Sequence, residues 1–219
     1  MKANVDDSSN SNVARRYGEV IETSSVRIWV ECDRLNDLPP LGSVICVATE
    51  TGETVFAVVS LCETTGIDSS RRAVRRGSDE VRNAEVYRRH PELTRVLRST
   101  FEAIPIAFQR RELLHCLVPP VPPPLHYSVE AVSIDQLRRL SDRLEYLTML
   151  ARYQGEVAAE QIVISHVREA FVARGRDNEW LDRAAAAIGR LYSSEYDRLL
   201  PILEAIDPGE ERIGLHVVR

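Results

Sequence analysis

Four arginines, Arg71, Arg72, Arg75 and Arg76, crowd one polar stretch between Gly66 and Gly77. A guanidinium is a fixed planar cation suited to carboxylates, phosphates and aromatic faces. Such a cluster in a loop fits nucleic-acid backbone, nucleotide phosphate or the acidic surface of a protein partner. It fits equally well a solvated loop pairing with Asp68, Asp79 and Glu80. The other reactive residue types are scattered. His115 and Cys116 are neighbours on a strand-like run, so their side chains point to opposite faces and cannot act as a nucleophile–base pair. His126, with Glu130 close behind it, suits a capping or packing role. His166, near Glu169 and Ala170 on a helix, reads as a surface or interface histidine.

Motifs for catalysis and cofactor binding are absent from the sequence. The only lysine is Lys2, so no Walker A loop exists to hold nucleotide phosphates. There is no G-x-S-x-G, no G-x-G-x-x-G, no calcium loop and no H-E-x-x-H spacing. Catalytic, cofactor and metal sites are therefore all expected to be lacking. Cys32, Cys46, Cys62 and Cys116 are widely separated and form no C-x-x-C pair, which suits reduced, mostly buried thiols in a cytosolic protein. A net charge of −5 argues against a dedicated nucleic-acid binder, though not against a local basic patch. No apolar run approaches the length of a membrane span.

The elements that must position these residues divide at a run of prolines. Residues 1–16 are polar, carry no secretory-type apolar region, and are expected to be a disordered arm. Residues 17–118 read as β. In residues 25–31 (SVRIWVE), Val26, Ile28 and Val30 alternate with Arg27, Trp29 and Glu31, the period of a half-buried strand. Trp29 is the one barrel aromatic expected to face outward. Residues 43–49 (SVICVAT) are almost wholly apolar, and Thr51-Gly52 marks a tight hairpin into 53–62. Residues 104–108 and 113–118 suggest a second hairpin. Between the hairpins, residues 64–101 form an excursion with two short helices, 79–89 and 91–101. In the second of these, Leu93, Val96, Leu97 and Phe101 share a face.

The proline run within residues 119–126 is expected to be a stiff linker and the domain border. Residues 127–219 read as helices. Ser133 caps 134–154, with Leu137, Leu140, Leu144, Leu147 and Ala151 along one stripe. A helix over 156–174 ends at Gly175, Asp177 or Asn178 caps 179–192, and a fourth helix over 195–206 contains Pro201. The expected class is α+β: a small N-terminal β-barrel of about six strands with a helical insertion, then an antiparallel helical bundle.

The order YGEVIETSS, LGSVICVATETGETVFAVVS, TTGIDSSRRAVRRGSDEV, EVYRRHPELTRVLRSTFEAIPIAF and VPPPLH resembles the HAS-barrel family. These are the small barrels at the N-termini of HerA-type DNA-translocating ATPases and of ATP-synthase ring subunits. The resemblance spans about residues 17–126 and is most specific at Gly18-Glu19-Val20, at Leu41-Gly42-Ser43 and over residues 87–97. It implies a barrel that holds ring neighbours together and offers a docking face to partners. Helices stand here in place of the motor. The expected role is a non-enzymatic cytoplasmic adaptor that docks on a HerA-type ATPase or related ring, with self-association through the helical half. The alternative is a nucleic-acid-binding accessory protein that uses the barrel and the arginine loop; Trp29 stands with the four arginines as a candidate partner- or phosphate-binding residue.

Overall fold

The computed structural model describes residues 15–68 and 73–207. Its strands are β1 (Arg16–Thr23), β2 (Ile28–Cys32), β3 (Val44–Ala48), β4 (Glu53–Gly66), β5 (Leu97–Arg110), β6 (Leu113–His115) and β7 (Ser128–Ala131). The helices are α1 (Ala84–Arg89), α2 (Leu93–Val96), α3 (Ile134–Ser141), α4 (Leu147–Ala151), α5 (Ala159–Ala173), α6 (Asn178–Leu191) and α7 (Tyr196–Ile206). Six strands close an antiparallel barrel in the order β2-β1-β7-β3-β4-β5, with β5 returning to β2, and β6 extends β5 as a hairpin. This is the α+β barrel expected from the sequence.

Alternation builds two cores. Val20, Ile28, Val30, Ile45, Val47, Val55, Phe101 and Val129 fill the barrel. Val44, Cys46, Phe56, Val58, Ile104 and Ile106 point the other way, into a second core with α3–α7. Burial on both faces explains why residues 43–49 lack polar alternation. Val26 is 68% exposed despite its period-two spacing, because β2 begins only at Ile28.

The expected border at residues 119–126 falls inside the barrel. β7 lies beyond the prolines and pairs with both β1 and β3, so residues 17–118 do not close by themselves. A run that cannot join a sheet serves here as a crossing, with a reach of about 25 Å at the polyproline rise. The excursion also differs. The expected helical face is split, because β5 starts at Leu97 and pairs with β4 from Gly66↔Leu97 to Glu53↔Arg110. Phe101 points into the barrel and Val96 is exposed. A long β ladder has overridden a local helical period.

The helix expected over 134–154 is broken into α3 and α4. Trp180 Nε1 donates to the Ser141 carbonyl at 2.7 Å, and Arg174 donates to the Arg138 carbonyl, Ser141 Oγ and Asp142. The Ser141 carbonyl would otherwise serve the next turn, whereas the Arg138 carbonyl still accepts the Asp142 amide as well. The caps follow the sequence. Ser133 and Gln136 form a reciprocal capping box, Asp177 accepts from the Trp180 amide, and Gly175 ends α5 at φ 72°.

Helices and barrel are latched through His166, which is fully buried rather than at the surface. Its Nδ1–H donates to the Gly42 carbonyl at 2.9 Å, and Nε2 accepts from Tyr146 at 2.7 Å. Gly42 has φ 83°, and a Cβ there would lie 2.5 Å from the His166 amide nitrogen, so only glycine fits. Burial pushes His166 down to about 4 from its ordinary 6.5, with the Gly42 carbonyl pulling the other way. Nearby on α5, Glu169 Oε2 is buried without a partner, and burial pushes that carboxyl up to about 7.

Between about pH 4.5 and 6.5 these two groups oppose each other. The unfolded chain protonates His166 where the folded chain does not, so that group lowers stability as pH falls. The folded chain keeps a proton on Glu169 that the unfolded chain releases, so that group raises stability as pH falls. Glu169→Gln is therefore expected to lose roughly 2–3 kcal/mol from pH 6.5 to 4.5 relative to wild type. His166→Gln is expected to show the opposite slope, and urea titrations across this range check both.

Candidate functional site

The expected site residues do not converge. Arg71 and Arg72 lie outside the described residues. Arg75 and Arg76 are exposed in the stretch before α1, and neither lines the cleft at Trp29. His126 is exposed and pairs with Glu19 rather than Glu130. His115 stacks on Phe108 with ring centroids 4.8 Å apart, and Cys116 packs against the helical core. All four cysteines are free, and burial pushes each thiol up, Cys32 and Cys46 to about 12 and Cys62 to about 11. At those values they are inert thiols. Among the described residues no three His, Cys, Asp or Glu side chains gather in a way that could hold a metal ion.

Trp29 does lead to a site. It pairs in register with Glu102 across β2 and β5, and Glu102 pairs with Leu61 across β5 and β4. Their neighbours Ile28, Val30, Phe101 and Ala103 face inward, so this row lies on the barrel's outer wall. Above it runs the chain from α4 toward α5, carrying Met149, Arg152 and Tyr153. Together they enclose a cleft of about 690 Å³, mostly apolar. That size is typical of ligand pockets.

One end of the cleft is a slot in the barrel wall. β2 and β6 lie along the same edge of β5, β2 over Thr100–Ala103 and β6 over Phe108–Arg110. Neither covers the interval between, which contains Pro105, a residue with no N–H to give a ladder. Val26 before β2 and Val118 after β6, 68% and 41% exposed, flank the slot.

At the floor sits Glu102, its side chain only 8% exposed. The β4–β5 register slips between Val59 and Leu61, leaving Ser60 as the extra residue of a bulge. Ser60 Oγ donates to Glu102 Oε1 at 3.0 Å, and Tyr153 donates to the same oxygen at 2.6 Å. Burial, with the Glu102 carboxylate adding to it, pushes Tyr153 up to about 12, so its hydroxyl stays a donor. Gly155 makes room for this arrangement, since a Cβ there would lie 1.9 Å from the Tyr153 oxygen. Arg27 reaches within 4.0 Å of Glu102 Oε2 and is itself paired with Glu22.

A held carboxylate, an apolar bed and a tyrosine that does not titrate near neutrality suit binding more than proton transfer. Glu102, Ser60 and Tyr153 were not singled out from the sequence. The available signal was one charge inside the apolar run 101–108 (FEAIPIAF). Tyr153 and Ser60 gave none, because only the fold brings α4 over a bulge in β4.

Tyr153→Phe removes a hydrogen bond to a carboxylate and is expected to lower unfolding free energy by about 1–2 kcal/mol, read from the denaturation midpoint at unchanged slope. No family model matches the chain, and no curated protein does.

Proposed function

We propose that the protein is a non-enzymatic adaptor of HAS-barrel type that docks through its barrel on a HerA-type ATPase ring or a related barrel-bearing partner. One observation carries this. The barrel is closed, its β3–β4 side is sealed under the chain's own helices, and its β2–β5 side carries an apolar cleft that the chain from α4 toward α5 only partly covers. A wall finished on one side and open on the other suits a contact surface. The sequence pattern that resembles HAS-barrels supplies the class of partner, and the lack of a Walker lysine fits a chain that borrows its motor.

A cytoplasmic setting is part of the proposal. Four free thiols, Cys46 buried and the others half-buried, fit a reducing compartment. Among the described residues no helix is long and apolar enough to cross a membrane.

Affinity-tagged full-length protein, purified from its native source and analysed by mass spectrometry, is expected to bring down an ATPase-ring subunit. Mixing the two purified proteins should then give one species by light scattering. Recovery of the tagged chain alone would overturn the proposal. So would a salt-sensitive affinity for DNA that falls when Arg75 and Arg76 are changed to alanine.

A further inference from the structure

The two oxygens of Glu102 are treated unequally. Oε1 accepts from both Ser60 and Tyr153. Oε2 accepts from neither, and its nearest cation, the Arg27 guanidinium, stands 4.0 Å away and is engaged by Glu22. A carboxylate this deeply set in apolar surroundings is stabilised by a cationic donor. Glu102 lines the cleft, and Oε2 is the oxygen whose acceptor capacity Ser60 and Tyr153 leave for an occupant.

The surroundings define that occupant. Trp29, Leu61 and Met149 offer an indole and aliphatic surface for a long apolar stem, and an indole face attracts a cation. Glu156 adds a second negative charge at the rim. The slot between Val26 and Val118 takes apolar neighbours on either side of that stem. Arg152, also on the rim, makes no ion pair among the described residues and disfavours a run of several basic groups. The complement is one basic side chain in an apolar segment.

We propose that the cleft seats an apolar segment of a partner protein carrying a single arginine or lysine, whose head meets Glu102 Oε2 while its stem lies along Trp29. This rests on the adaptor role proposed above and names the chemistry of the docked segment. The cation displaces Arg27 toward Glu22, and Ser60 and Tyr153 hold the carboxylate still while it binds.

The test uses the full-length protein and three blocked tripeptides, acetyl-Leu-Arg-Leu-amide and its citrulline and glutamate counterparts, followed by tryptophan fluorescence and calorimetry. Citrulline keeps the arginine shape without the charge. The arginine tripeptide is expected to saturate, with citrulline at least tenfold weaker and glutamate weaker still. Glu102→Gln should abolish the preference for arginine over citrulline. Glu156→Gln, an exposed change that leaves the fold intact, should weaken the arginine tripeptide two- to threefold. Equal affinity for citrulline, preference for glutamate, or no saturation by any tripeptide would overturn the inference. Agmatine binding as tightly as the tripeptide would overturn a partner segment in favour of a small-molecule site. If folded Glu102→Gln still co-purifies the wild-type partner at wild-type yield, the cleft inference fails and the adaptor role stands. If wild type has no partner, the adaptor role fails.

Discussion

The barrel closes where β2 meets β5, over four register pairs from Ile28↔Ala103 to Glu31↔Thr100. Without that short ladder the sheet would be open, with two unpaired edges. With it, Ile28, Val30, Phe101 and Ala103 are forced inward, and Trp29 and Glu102 are forced onto the outer surface side by side. The cleft thus follows from the alternation of side chains on a closed sheet. Where the ladder stops, after Ala103, the interval containing Pro105 forms the slot, and β6 resumes the same lane at Phe108.

The second constraint is that one barrel wall is finished by helices. Val44, Cys46, Phe56 and Val58 would be an apolar surface without α3–α7, and those helices are too short to stand alone. The His166 latch and the close approach at Gly42 allow almost no slack between the two layers. Barrel and helices therefore share the outer of the two cores, and the proline run is a connection between strands of the barrel.

What was legible in the sequence was local. Strand alternation placed Ile28 and Val30, the Thr51-Gly52 hairpin appeared as expected with Gly52 at φ 75°, and Ser133, Asp177 and Gly175 fixed helix ends. What was not legible depended on distant partners. The first half of β5 carries a helical period and becomes strand only because β4 is long enough to pair with it. β7 is four residues with little pattern, and it counts as a strand only between β1 and β3. The break after Ser141 is made by Trp180, far along the chain. At the site, Trp29 could be seen to face outward, whereas Glu102 gained its meaning from Ser60 and Tyr153, neighbours only in space.

The order of strands around the barrel has a consequence for how the protein is made. β1 and β3 are not neighbours; the place between them belongs to β7, which follows every other strand among the described residues. During synthesis from the N-terminus, the first six strands emerge with that seam still open. The nascent barrel therefore waits, with β1 and β3 exposing unsatisfied backbone, until residue 131 has left the ribosome, and the proline crossing that delivers the last strand sets the length of that wait.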